Sequence, residues 1–143
     1  MTQDAAHSLD TFIQVYEKLT TQNVVSLAEI YHPDVIFEDP AHRVEGWPAL
    51  SEYFSRLFAS VPDCRFEIHE SVAQGDIAYV QWTMQFRHPR LSGGKPRTVK
   101  GCSRLQFEQG KVRYHRDYFD MGEMIYEGIP VLGRLISHLK ARL

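Results

Sequence analysis

The sequence has little cysteine, and its two cysteines stand far apart. Neither Cys64 nor Cys102 belongs to a Cys-x-x-Cys pair. Structural zinc sites need closely spaced ligands, and disulfide frameworks need several cysteines. We therefore expect neither kind of site, and the composition suits a reducing compartment.

Long apolar runs and a surplus of basic charge are also missing. No stretch approaches the roughly 18 apolar residues that span a bilayer, and the N-terminal segment MTQDAAHSLD has no basic start followed by an apolar core. Lys and Arg number 16 against 18 Asp and Glu, whereas nucleic-acid binders usually carry a clustered basic surface. We therefore expect a cytoplasmic protein with no nucleic acid as partner and no stable membrane insertion.

What the chain does contain is enough apolar sequence for a core. It has 143 residues, of which 43% are hydrophobic, and a domain of this size buries roughly two thirds of its unfolded surface. Apolar residues recur at helical spacing in the first part of the chain, and alternation with period two dominates from about Arg65. This order predicts helices first and a sheet second.

Three helices are predicted. The first has Ser8 or Asp4 as its N-cap, and its apolar stripe consists of Leu9, Phe12, Ile13, Tyr16 and Leu19. The second runs from about Val24 to Tyr31 and ends at His32-Pro33, because a residue before proline avoids helical geometry. The third begins at Gly46-Trp47-Pro48.

Strands follow from turn signals and alternation. A short strand at Val35–Phe37 is predicted before Glu38-Asp39-Pro40, and four antiparallel strands are predicted after Arg65. The inward faces of two of them are Ala78, Val80, Trp82, Met84 and Phe86, and Val99, Gly101, Ser103, Leu105 and Phe107. On the last strand Arg113, His115, Asp117 and Phe119 share one face, and Val112, Tyr114, Arg116 and Tyr118 share the other. Because buried His and Asp side chains must be solvated or paired, we expect a wet pocket at His115 and Asp117.

Three segments resemble the nuclear transport factor 2-like, or SnoaL-like, superfamily: the Glu38-Asp39-Pro40 strand end, the Gly46-Trp47-Pro48 helix start and residues 114–120, YHRDYFD. The resemblance implies an α+β fold in which a cone-shaped, curved antiparallel β-sheet packs against N-terminal helices. It implies one SnoaL-like domain over residues 1–143, with a core cone at about 8–121 and a C-terminal helical extension at 122–143. Such cones include isomerases, cyclases, epoxide hydrolases, dehydratases and non-catalytic binding modules, so the fold leaves the activity open.

The segment Arg116–Asp120 closely resembles one strand of limonene-1,2-epoxide hydrolase. That resemblance implies Asp117 as a base that activates water. Phe37 and Asp39 stand where the hydrolase has a tyrosine and an asparagine. Trp82 and Met84 replace its arginine, which would protonate the epoxide oxygen, and its second aspartate. Epoxide hydrolysis by that mechanism is therefore not expected.

The segment Phe37–Pro40 is similar to a motif of ketosteroid isomerase. This second resemblance implies Asp39 as the general base and Tyr16 as a donor to the oxyanion. Ser103 stands where that family has a protonated aspartate, so the oxyanion hole is only partly kept.

Together these residues predict a pocket for a hydrophobic small molecule. Its catalytic residues would be Asp117, Asp39 and His115, and its ligand-binding residues would be Tyr16, Phe37, Trp82, Met84, Phe86, Ser103 and Phe119. We expect a cofactor-free acid/base enzyme without metal, of isomerase, polyketide-cyclase-like or hydratase/hydrolase type, acting on a carbonyl-type substrate. A non-catalytic ligand-binding or protein-interaction module is the alternative.

Structural roles compete with these catalytic ones. Asp39 before Pro40 can cap a turn, His115 can belong to a structural hydrogen-bond network, and Tyr16 can be a core residue. Asp120 is predicted to cap a helix that starts near Met121.

The pattern of the C-terminal segment predicts an amphipathic helix, and the sequence leaves the role of this helix open. Its apolar stripe is Leu132, Leu135, Ile136, Leu139 and Leu143. A lid over the pocket, a dimer contact and a peripheral membrane helix all fit this pattern. The superfamily resemblance implies a homodimer, and the outer sheet face is its expected interface, with Tyr79, Cys102, Tyr114 and Tyr118.

Overall fold

A six-stranded sheet forms the centre of the computed structural model, which describes residues 2–20, 22–61 and 63–143. The strands are β1 (Tyr31–Glu38), β2 (Arg43–Glu45), β3 (Arg65–Gln74), β4 (Ile77–Phe86), β5 (Arg97–Glu108) and β6 (Lys111–Phe119). They lie in the order β2-β1-β6-β5-β4-β3. The sheet is curved and unclosed, with helices before and after it, so the predicted α+β class is confirmed.

The sheet is not wholly antiparallel, which corrects one detail of the prediction. Strands β1 and β6 pair in parallel, and the remaining neighbours pair antiparallel. Strand β2, a three-residue edge strand paired with β1, was not predicted at all. Parallel pairing is possible here because β1 and β6 are separated by most of the chain, which provides the long crossover that it requires.

Four helices flank the sheet: α1 (Thr2–Glu17), α2 (Trp47–Ser60), α3 (Met121–Met124) and α4 (Pro130–Ala141). Helix α1 starts well before Ser8, so the prediction of Ser8 or Asp4 as N-cap is wrong. The Ser8 hydroxyl instead donates to the carbonyl of Gly110 at 3.1 Å and ties the helix to the β5–β6 turn. Helix α2 has its proline in the first turn, as predicted.

The predicted second helix is also wrong in part. Only a 3-10 segment forms, at Val24–Glu29, and Tyr31 belongs to β1. Strand β1 therefore starts earlier than predicted and contains Pro33. Its register with β6 is irregular between Tyr31 and Ile36, and such an irregularity accommodates a residue that cannot donate to the ladder.

The face assignment is confirmed on β4 and β5 and corrected on β6. The inward sets predicted for β4 and β5 are buried apart from half-buried Gly101, while Thr83, on the opposite face of β4, is also buried. On β6 a bulge lies opposite the step from Gln106 to Phe107. It puts Val112, fully buried, on the inner side with His115, whereas Arg113 turns outward to the carbonyl of Asp34 and to Glu108.

Polar contacts tie the C-terminal segment to the sheet. Asp120 accepts from the Gly122 amide at 2.8 Å, which confirms its role as N-cap of α3. Arg97 at the start of β5 donates to the carbonyls of Glu123 and Met124. No helix in the described residues is long and apolar enough to cross a membrane.

The apolar stripe of α4 and the outer sheet face are largely open to solvent. Leu135 and Leu139 are each more than half exposed, and Tyr79 and Tyr118 are about half exposed. Their exposure leaves both surfaces free in a single chain, and the homodimer stays a prediction.

Candidate functional site

A cavity opens between α1, α2 and the concave face of the sheet. The cavity volume is about 70 Å³, well above the roughly 10–15 Å³ that a cavity needs to hold one water. The cavity can therefore hold several waters or a small organic group. Its lining consists of Phe12, Tyr16, Phe37, Asp39, Tyr53, Phe54, Leu57, Phe66, Ile68, Trp82, Met84, Ser103, His115, Asp117, Phe119 and Met124.

The structure brings nearly all of the predicted site residues to this cavity. The three predicted catalytic residues, Asp117, Asp39 and His115, lie in its wall, as do six of the seven predicted ligand-binding residues. The exception is Phe86, which is buried in the hydrophobic core near the far end of β4. Alternation explains the convergence, because every second residue of β4, β5 and β6 faces the same side.

Asp117 has two polar side chains in contact with a single oxygen. Its Oδ1 accepts from the Ser103 hydroxyl at 2.5 Å and lies 2.6 Å from His115 Nε2. Among the hydrogen bonds of the described residues, none involves Oδ2. The carboxyl group is thus oriented by its neighbours while one oxygen stays available to a ligand.

On one side of Asp117, hydrogen bonds continue inward to two tyrosines. His115 Nδ1 lies 2.8 Å from the Tyr31 hydroxyl, which lies 2.5 Å from the Tyr16 hydroxyl. All three of these side chains are almost completely buried. Phe12 stacks on Tyr16 and meets the His115 ring edge-on, so apolar contacts on α1 help to fix the network.

On the other side, Trp82 supports Ser103. Its indole Nε1 donates to the Ser103 hydroxyl at 2.8 Å. The indole fits because Gly101 is its cross-strand partner on β5. A Cβ atom at position 101 would lie 2.3 Å from Trp82 Cη2, so glycine is required at this close approach.

Asp39 forms a second polar cluster in the same cavity. Its Oδ1 accepts from the amides of Ala41 and His42, at 2.8 and 2.7 Å, in the turn between β1 and β2. Its Oδ2 accepts from the Tyr53 hydroxyl at 2.7 Å, and His42 Nδ1 lies within 3.3 Å of both oxygens. Asp39 therefore has the turn-capping contacts that were the structural alternative, and each of its oxygens already has a donor.

Two tyrosines that line the cavity, Tyr16 and Tyr53, and Tyr31 behind His115 keep their protons. Burial is the main cause that raises the pKa values of Tyr16, Tyr31 and Tyr53 well above the usual value. The negative charge of Asp117 adds to this effect at all three. Each phenol is therefore a neutral hydroxyl near neutral pH, able to donate a hydrogen bond.

Sequence reasoning missed Tyr31 and Tyr53 as site residues. Tyr53 lies next to Phe54 in the predicted third helix, and its hydroxyl was the signal that could have separated it from its apolar neighbours. Tyr31 was assigned to a helix end, so its alternation with Val35 and Phe37 along β1 went unused.

Metal ligation has no support in the described residues. Within residues 2–20, 22–61 and 63–143, no group of three or more His, Cys, Asp or Glu side chains could hold a metal ion. His42 lies with Asp39, whereas His115 lies with Asp117.

The SnoaL-like domain family accounts for most of the chain, since its profile matches residues 12–115. The protein belongs to the SnoaL-like domain family. The match begins within α1 and ends within β6, so it includes Asp39 and His115 but ends before Asp117. No curated protein matches the sequence significantly.

Solved structures show the same fold at low sequence identity. A provisionally assigned SnoaL-like polyketide cyclase from Jannaschia sp. CCS1 is 17% identical, with a TM-score of 0.71 over 81% of this chain and 87% of that chain. An LEH-like epoxide hydrolase from M. tuberculosis is 18% identical, with a TM-score of 0.70 over 99% and 98%. A ketosteroid isomerase-like protein from Catenulispora acidiphila in complex with trimethylamine is 13% identical, with a TM-score of 0.71 over 86% and 92%. At such identities the likeness establishes the fold and leaves the activity to the site residues.

Proposed function

We propose that this SnoaL-like protein is a cofactor-free acid/base enzyme that moves a proton next to the carbonyl group of a small hydrophobic molecule. The observation that carries the proposal is the Asp117 carboxyl group, held through Oδ1 by Ser103 and His115 while Oδ2 accepts none of the hydrogen bonds between described residues. A base that is oriented by neighbours and keeps one oxygen available in a largely apolar cavity suits general base catalysis.

In the proposed step, Asp117 Oδ2 takes a proton from the carbon beside the carbonyl. The electrons of that C–H bond form a C=C bond, and the carbonyl oxygen becomes an enolate. Return of the proton to another carbon gives isomerisation. Attack of the enolate carbon on a second carbonyl of the same molecule closes a ring, and the alkoxide formed at that carbonyl takes back the proton held by Asp117. Both outcomes belong to the reaction types expected from the sequence.

Tyr53 is the proposed donor to the enolate oxygen. It lines the cavity, and its raised pKa keeps the proton on the phenol. Turning its hydroxyl from Asp39 to a ligand would remove a donor from Oδ2, but His42 Nδ1 lies 3.3 Å from the same oxygen and can take its place. Asp39 and His42 then act through Tyr53 rather than on the substrate.

Epoxide hydrolysis has weaker support. Trp82 and Met84 line the cavity where the hydrolase resemblance requires an arginine and an aspartate. Neither side chain carries a charged group that could donate a proton to an epoxide oxygen. The similarity to the mycobacterial epoxide hydrolase therefore supports a shared fold but not a shared reaction.

Proton exchange tests the proposal before the natural substrate is known. Small enolisable ketones such as 2-indanone would be incubated with the protein in D2O, and loss of the α-proton signal would be followed by NMR. We expect Asp117→Asn to slow the exchange by about 10²–10⁴-fold, the range for loss of a general base. Asn keeps an oxygen for Ser103 and His115, and Asp10→Asn, at an exposed position on α1, is the matched control.

Full exchange activity in Asp117→Asn would refute the proposal. If instead the wild-type protein binds these ketones without exchanging them, and binding survives in a variant that carries both Asp39→Asn and Asp117→Asn, the protein is a ligand-binding module. That result would favour the non-catalytic alternative.

A further inference from the structure

The hydrogen bonds around Asp117 form one continuous chain with two fixed ends. It runs from Tyr16 through Tyr31 and His115 to Asp117, and from Trp82 through Ser103 to the same oxygen. Because each donor has a limited number of protons, the chain restricts which protonation states leave every proton with an acceptor.

At the Trp82 end of the chain, only one arrangement of the protons is possible. An indole N–H can only donate, so the Ser103 oxygen accepts from Trp82 Nε1. The Ser103 proton then goes to Asp117 Oδ1, 2.5 Å away. This contact favours a carboxylate that accepts.

The His115 end allows three states, of which one uses every proton. If Nε2 carries the proton and Nδ1 is bare, Nε2 donates to Asp117, the Tyr31 hydroxyl donates to Nδ1, and the Tyr16 hydroxyl donates to Tyr31. If Nδ1 carries a proton, alone or with Nε2, the Tyr31 oxygen accepts from it. One of the two phenol protons, on Tyr16 or on Tyr31, then has no acceptor among the described residues, which is unfavourable for such buried side chains.

We propose that Tyr31 is a positioning residue that holds His115 in its Nε2–H tautomer, so that the imidazole always presents a donor to Asp117. The histidine is neutral in this state, and its role is to orient the carboxylate rather than to exchange protons with a ligand. The part of this inference that concerns catalysis rests on the proposed function of Asp117, whereas the tautomer itself does not.

The chain does not act as a wire that delivers protons from the tyrosines. Such delivery would leave a tyrosinate at Tyr16 or Tyr31, and burial together with the charge of Asp117 raises both phenol pKa values. Positioning is therefore the function that the environment of Tyr31 permits.

Nitrogen NMR of His115 tests the tautomer directly. Long-range ¹H–¹⁵N spectra of the wild-type protein at neutral pH distinguish a protonated from a bare ring nitrogen. We expect a proton on Nε2 and none on Nδ1. A proton on Nδ1, alone or with Nε2, would overturn the proposal without bearing on whether Asp117 is a base.

The variant Tyr31→Phe tests the cause. It keeps the ring that stacks on Trp47 and removes only the hydroxyl, so His115 Nδ1 loses its hydrogen-bond donor and its ¹⁵N resonance should move away from the wild-type position. In the exchange assay kcat should fall roughly tenfold with little change in KM, the rate equivalent of one hydrogen bond. Tyr118→Phe, on the exposed outer face, is the control. An unchanged His115 spectrum in folded Tyr31→Phe would refute the role of Tyr31, and loss of exchange only in Asp117→Asn would leave the proposed function standing.

Discussion

The contact between Gly101 and Trp82 provides a sharp test of the site architecture. In Gly101→Ala the new Cβ would lie 2.3 Å from Trp82 Cη2 and 2.4 Å from Cζ2, so the indole must move. Overpacking of this kind costs about 1–3 kcal/mol, and loss of the bond from Trp82 to Ser103 adds about 0.5–1.5 kcal/mol. Reduced freedom of the unfolded chain offsets about 0.4–1 kcal/mol. We expect a net loss of about 1–3 kcal/mol in the free energy of unfolding.

A double-mutant cycle separates this clash from any general intolerance of alanine in β5. Phenylalanine at position 82 lacks the outer indole atoms that the new Cβ would meet. In a Trp82→Phe background, Gly101→Ala should therefore cost almost nothing, which gives a coupling of about 2 kcal/mol.

Urea denaturation followed by circular dichroism would measure all four proteins of the cycle. For a chain of this length, each kcal/mol also lowers Tm by about 3–4 °C, so thermal scans give a second reading. An equal cost of Gly101→Ala in both backgrounds would show that the indole does not occupy the space above Gly101.

Two further predictions concern titratable groups. Because burial raises the pKa values of Tyr16 and Tyr31 in the folded state, stability should be full below pH 10 and fall above it by about 1.4 kcal/mol per pH unit for each tyrosine. Urea titrations at pH 9 to 11 should show a shallower fall in Tyr16→Phe, and an identical slope would contradict the assignment. Burial also raises the pKa of Cys64 to about 12, so iodoacetamide should modify this thiol only after unfolding. Labelling of the native protein at Cys64, read by mass spectrometry, would disagree with its burial.

The faces of β4 and β5 could be predicted because each strand keeps a strict alternation from end to end. That alternation placed Trp82 and Ser103 on the concave side, where the structure has them. The same rule failed on β6, because a bulge depends on how the neighbouring strand pairs, and the residues of β6 alone carry no sign of it. Arg113 was therefore assigned to the wrong side.

Contacts between residues far apart in the sequence were harder to predict than the faces of regularly alternating strands. Tyr31 meets His115 across 84 positions of sequence, and only the parallel pairing of β1 with β6 brings them together. The contacts of Asp39 are local by comparison, and the turn before Pro40 could be anticipated from its residue types.

The bulge in β6 divides this strand into two parts with separate assignments of inside and outside. The first part places Val112 in the core, and the second places His115 and Asp117 at the cavity. An unbulged strand would put positions 112 and 115 on opposite faces. Because the two parts do not share one alternation, a single strand can place an apolar residue in the core and two polar residues at the cavity on the same side of the sheet.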